Sequence, residues 1–185
     1  MIEYVLPEAL EVNGCSYAIR SDFRAALDIF CALMDPELST EEKALVALEI
    51  LYADFPSVPE QAYPEALEKS LWFLNGGTEE RQDKTSRPQL VDWEKDFPHI
   101  AAPVSRVLGR DVRGVEKLHW WSFLSAYYEI GDCTFAQIVR IRKLKAEGKK
   151  LDKSDADWYA QNRDLVDIKT RYTEREEDLL AAWAT

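Results

Sequence analysis

The chain has 185 residues, 46% of them hydrophobic and 31% charged, with 34 Asp and Glu against 23 Lys and Arg. That balance is typical of a globular domain and excludes a disordered chain or a membrane-spanning bundle, since no apolar run nears the roughly 20 residues needed to cross a bilayer. A net charge of −11 repels a phosphate backbone, so nucleic acid is not expected as a partner, and neither is a membrane; a basic or very hydrophobic protein fits better.

The start, MIEYVLPEALE, is acidic where a secretory leader is basic and then apolar, so the protein is expected to stay in the cytoplasm. Cys15, Cys31 and Cys133 are an odd number without C-x-x-C pairing, and they are expected to be small core residues rather than a disulfide or zinc framework.

The predicted architecture is mainly α: a single helical domain over 1–185 with a small N-terminal β-hairpin packed on it. In ALEVNGCSYAIR, Asn13 and Gly14 accept positive φ between two alternating runs, which predicts a type I′ hairpin pairing Val12 with Cys15 and Leu10 with Tyr17. Leu10, Val12, Cys15, Tyr17 and Ile19 then share the apolar face. Phe23, Ala26, Leu27, Phe30, Cys31 and Met34 recur at helical spacing after a cap at Ser21 or Asp22. A second helix opens at Ser39 with Glu42 completing an S-x-x-E box, and is expected to bury Ala44, Leu45, Leu48, Leu51 and Tyr52. A third runs from Pro64 to Asn75, stopped by Gly76-Gly77. The hairpin and three helices occupy 1–77.

Residues 78–88, TEERQDKTSRP, are polar throughout and predict an exposed linker to a C-terminal helical part, 89–185. There Trp93, Phe97, Ile100, Val104 and Leu108 follow a helical line, with a kink or restart expected at Pro98 because Pro98 and Pro103 each lack a backbone donor. A short helix opened by Thr134 carries Phe135, Ile138 and Ile141. From Ser154 onward, one or two long polar helices are expected.

The densest aromatic stretch is EKLHWWSFLSAYYEI, 116–130. On a helix, Leu118, Trp121, Ser125 and Tyr128 follow one line and Trp120, Leu124 and Tyr127 the next, which predicts a helix in the middle of the domain. The expected core comprises Phe23, Leu27, Phe30, Leu48, Leu71, Leu118, Trp121, Leu124 and Tyr128. His119 is either a general base or a partly buried ring with one nitrogen on a backbone carbonyl. No nucleophile elbow accompanies it, nor any motif linking it to His99, so the second reading is preferred and no catalytic residue is assigned.

Metal-ligand spacing is absent, no cofactor is expected, and Gly76-Gly77 lacks the lysine and hydroxyl of a phosphate loop. The basic run RIRKLKAEGKK, from Arg140 to Lys150, is expected to be a solvated helix end. Leu165, Ile168, Tyr172, Leu179 and Trp183 form a narrow apolar stripe on a charged C-terminal segment, which docks either onto its own domain or onto a partner.

In order and spacing, EVNGCSYAIRSDFRAAL, LSTEEKALVALEILY, EALEKSLWFLNGG, DWEKDFPHI and VEKLHWWSFLSAYYEI resemble the small gene-product-fifteen family of Gram-positive siphophages and prophages, with LWFLNGG and LHWW the most specific marks. Pro98 and Pro103 depart from its pattern. The resemblance implies a non-enzymatic tail assembly chaperone of the bacterial host's cytoplasm, absent from the mature virion. Its implied partners are the tape measure protein, further copies of itself in a homo-oligomer, and the tail-tube protein as an additional candidate. The alternative is a structural tail or tail-completion component.

Overall fold

A computed structural model describes residues 5–78 and 88–168. Most of the expected linker and the stripe residues Tyr172, Leu179 and Trp183 lie outside the described residues. The chain is mainly α, with one small hairpin, and divides into two compact units: 5–78 with Lys117–Ser122, and 88–116 with 123–168.

In the first unit, Ala9–Val12 (β1) and Cys15–Ala18 (β2) pair antiparallel in the expected register, Leu10 opposite Tyr17 and Val12 opposite Cys15. Asn13 and Gly14 both take positive φ, 49° and 73°, as a type I′ turn requires. Leu10, Val12 and Ile19 are buried, but Cys15 is exposed, and Cys31 and Cys133 are half-buried. The expectation of three core cysteines is therefore wrong. Alternation sets which face Cys15 shares and does not set how much of it is covered: Val12, directly opposite, is fully buried.

Helix α1, Phe23–Leu33, is capped by Asp22, whose side chain accepts from the Arg24 N–H. It buries Phe23, Ala26, Leu27 and Ile29, while Phe30 is half-buried with its ring 5.8 Å from that of Trp120. Helix α2, Thr40–Leu51, opens with the predicted reciprocal box between Ser39 and Glu42. Its buried residues are Ala47, Leu48 and Leu51, followed by Tyr52; Ala44 is half-buried and Leu45 exposed. Arg20 donates to the carbonyls of Glu49, Ile50, Tyr52 and Ala53, satisfying acceptors that the end of α2 leaves open.

Helix α3, Tyr63–Leu74, buries Ala66, Ser70, Phe73 and Leu74. Leu71, expected in the core, faces out at 37% exposure. The Tyr52 and Ser70 hydroxyls both donate to the Ala66 carbonyl, at 3.0 and 2.7 Å.

Lys117–Ser122 completes this unit from far along the chain. The Phe23 N–H donates to the Leu118 carbonyl (2.9 Å), the Trp120 N–H to the Ser21 carbonyl (2.7 Å), and the Leu118 N–H to the Asp22 carboxylate (2.9 Å). The indoles of Trp120 and Trp121 donate to the Leu74 and Phe73 carbonyls at 2.9 and 2.8 Å, closing the end of α3.

In the second unit, α4 (Trp93–Leu108) is one helix that includes Pro98 and Pro103, so it does not restart at Pro98. Each proline removes one bond from the ladder, that to the Glu94 or the His99 carbonyl, and exposed Pro98 leaves the first open to water. Asp92 caps its start, accepting from the Lys95 N–H, and Gly109 at φ 67° ends it. Helix α5, Trp120–Tyr128, begins in the first unit and passes into this one at Phe123. Phe123 and Ala126 are buried, Leu124 is half-buried, and Tyr128 is 72% exposed, so Tyr128 is not the core residue it was expected to be. The buried line of α5 is Trp120, Phe123 and Ala126, of which the expected lines include Trp120 alone.

Helix α6, Thr134–Ala146, buries Phe135, Ile138, Ile141 and Arg142. Lys153–Gln161 (α7) and Arg163–Val166 (α8) follow, shorter than the long polar helices expected. Among the described residues, no helix is long and apolar enough to cross a membrane.

Candidate functional site

His119 is buried, and both its ring nitrogens are engaged by backbone. The Trp121 N–H can only donate, so Nδ1 accepts from it at 3.0 Å and the proton rests on Nε2, which donates to the Pro7 carbonyl at 3.0 Å. The rings of Phe73 and Trp121 stand edge-on to the imidazole, with centroids 5.7 and 6.0 Å away. The geometry is that of a positioning group, tying the chain before β1 to the start of α5. Among the described residues, no cluster of three or more His, Cys, Asp or Glu could hold a metal ion.

The second unit contains a charged centre instead. Arg142, on the face of α6 that also carries Phe135 and Ile138, forms two bonds with the Asp96 carboxylate of α4, at 2.5 and 2.9 Å. Its remaining N–H groups donate to the carbonyls of Leu90 (3.0 Å), Leu165 (2.8 Å) and Val166 (2.6 Å). Asp96 also accepts from the Asp92 N–H. The expectation that 140–150 is a solvated helix end thus fails at Arg142. Its spacing, four residues from Ile138 and seven from Phe135, is the available signal, as is Asp96 between Trp93 and Ile100.

Around that centre the end of the described chain is tied to α4 and α6. Asp155 pairs with Arg140, Asp167 accepts from Lys145 (2.5 Å) and Tyr159 (2.9 Å), and the Asp167 carbonyl accepts from Lys95 Nζ (2.7 Å). Hydrogen bonding from Arg140 holds the Asp155 carboxyl below its usual range. Partial burial pushes the Asp167 carboxyl up, but the bonds from Lys145 and Tyr159 outweigh it and leave it lowered.

Two stripe residues fall in this segment. Leu165 lies on α8 and is half-buried; Ile168, also half-buried, lies beyond the end of the helix at Val166, where Asp167 turns extended at φ −73° and ψ 114°. They do not share a helix face. The carbonyls of Leu165, Val166 and Asp167, which a continuing helix would offer to later N–H groups, are taken by Arg142 and Lys95.

Exposed apolar surface lies elsewhere. In the first unit it comprises Val5, Leu6, Leu45 and Leu71; in the second, Val107 and Tyr128. Beside Tyr128, Tyr127 packs against Trp93 and Phe135, and burial pushes its hydroxyl up to about 12, with Tyr128 and Asp96 adding to the effect.

Fold and side-chain arrangement define a mainly α-helical scaffold organised by buried polar centres. A family model described as Bacteriophage Gp15 protein matches residues 2–168. The chain belongs to this family of bacteriophage proteins. Leu165 and Ile168 fall inside the matched span; Tyr172, Leu179 and Trp183 fall beyond it. No curated protein and no solved structure matches the chain.

Proposed function

We propose that the protein is a non-enzymatic tail assembly chaperone, binding the tape measure protein and keeping it soluble until tail-tube polymerisation displaces it. Membership of the bacteriophage family over 2–168 supports this reading, together with the tail chaperone role that the resemblance of its hairpin, LWFLNGG and LHWW segments to the gene-product-fifteen family implies. A holdase needs apolar contact surface, charge that keeps the complex dispersed, and modest affinity per copy, so that assembly can strip it away. The exposed side chains of each unit are compatible with the first need, and the net charge of −11 with the second. On this reading the protein acts as a homo-oligomer in the cytoplasm of the bacterial host and is absent from the finished virion.

Co-expression tests it. The tape measure protein of the same phage should move from pellet to supernatant when this chain is present; a pellet that does not change contradicts the proposal. Stoichiometric presence in purified particles, measured by mass spectrometry, assigns the chain instead to the structural or completion components of the tail.

A further inference from the structure

Residues 152–168 are held differently from the rest of the second unit. Of their side chains, Asp155 and Val166 are the buried ones, whereas α4 and α6 bury Ile100, Val104, Phe135, Ile138 and Ile141. Hydrophobic stabilisation scales with the apolar area removed from water, so this segment draws little from it. Its ties are polar and run to basic side chains beneath: Arg140 to Asp155, Lys145 to Asp167, Lys95 to the Asp167 carbonyl, and Arg142 to the Leu165 and Val166 carbonyls. Arg140 and Lys145 are 48% and 38% exposed and their partners Asp155 and Asp167 6% and 48%, so salt screens Lys145–Asp167 fully and Arg140–Asp155 less. The connection from α6 passes through Gly148 at φ 65°.

We propose that residues 152–168 form a strap that opens from α4 and α6 as one unit while those helices stay folded, its opening governed by the pairs Arg140–Asp155 and Lys145–Asp167. Segments with few buried apolar contacts and exposed polar ties open locally, at free energies well below that of global unfolding. Arg142 keeps Asp96 and the Leu90 carbonyl when the strap leaves, so the charged centre is not orphaned. Opening bares Lys95, Arg140 and Lys145, a cationic face on a chain of net charge −11, and releases Leu165 and Ile168 from their half-buried positions. The acidic strap is thus an intramolecular cover for a basic surface, and this holds whichever client the protein takes.

Hydrogen–deuterium exchange of the full chain, resolved by mass spectrometry, tests the strap. Peptides spanning 155–167 should exchange together, at least about tenfold faster than the interior of α6, as local opening requires. Raising NaCl from 50 mM to 1 M, or substituting Lys145→Gln, should each speed strap exchange about two- to fivefold and leave peptides over 138–142 unchanged. Exchange of the strap and α6 at one common rate, or a strap indifferent to both salt and Lys145→Gln, overturns the proposal.

Discussion

Arg142 and Asp96, 46 residues apart in the chain, meet in a doubly bonded ion pair whose two side chains are 5% and 1% exposed. A buried pair of this kind adds little over a well-packed apolar replacement, but removing one partner strands the other charge. Arg142→Met should cost about 3–5 kcal/mol in urea unfolding. The double substitution Arg142→Met with Asp96→Leu should recover part of that loss and not all of it, since the Leu90, Leu165 and Val166 carbonyls remain unserved. A single substitution costing less than about 1 kcal/mol, the range of surface pairs, would show that the pair is hydrated in solution.

Gly77 separates a steric requirement from a conformational one. It sits at φ 81°, and a Cβ there would lie 2.7 Å from Cη2 of Trp121; Gly109, at φ 67°, has nothing within 4 Å of its Cβ position. Both Gly→Ala substitutions incur the left-handed penalty, about 1–2 kcal/mol, and Gly77→Ala adds displacement of the indole. Gly77→Ala should therefore be the more destabilising and the one that shifts tryptophan fluorescence. Equal losses at the two sites would contradict the contact.

His119 should behave as a structural group. Glutamine can offer one acceptor and one donor in place of Nδ1 and Nε2, whereas alanine leaves the Trp121 N–H and the Pro7 carbonyl without partners. His119→Ala should cost about 1–3 kcal/mol per group left unsatisfied, and His119→Gln clearly less. If the protein is the chaperone proposed above, solubilisation of the tape measure protein by the folded variants should be unchanged; its loss in a stably folded His119→Gln protein would give the imidazole a role beyond positioning.

Acid should loosen the molecule at identifiable carboxylates. The Ser21 hydroxyl and then Lys117 hold Glu8 below its ordinary range, and Asp155 and Asp167 are lowered as described above. A carboxyl lowered by folding adds stability above its unfolded value, about 4, and loses it as pH falls through the folded value. Lys145 runs the other way: partial burial pulls it down, but Asp167 and Tyr159 raise it overall, so its contribution is lost only as pH climbs beyond about 10.4. Melting temperature should fall below about pH 4 as these carboxylates are protonated, and Asp155→Asn with Asp167→Asn should make that acid limb shallower. An acid limb of unchanged steepness would place the responsible groups elsewhere.

The hairpin was readable because Asn13-Gly14 between alternating runs leaves one register, and the start of α2 because Ser39 and Glu42 satisfy each other within one turn. Local geometry decided both. Helix α5 was harder: apolar residues surround it, so periodicity could not choose between the Trp121–Tyr128 line and the Trp120–Phe123–Ala126 line that is buried. Pro98 is a weak boundary signal because its missing donor removes one bond, and α4 has enough remaining bonds to run through it. Leu165 and Ile168 were placed on one helix because spacing carries no information about Arg142 and Lys95, distant in sequence, which take the carbonyls that helix would need.

The segment Lys117–Ser122 also bears on how the protein is made. Asp22 and Leu118 are 96 residues apart, and closing a flexible loop of that length costs about 4 kcal/mol of chain entropy beyond the constant term. A nascent chain therefore carries the hairpin and α1–α3 out of the ribosome well before the residues that seat on Asp22, Ser21 and Pro7 are synthesised. The amino-terminal unit is finished late in translation, and a gene cut after codon 116 would release it with its closing segment missing.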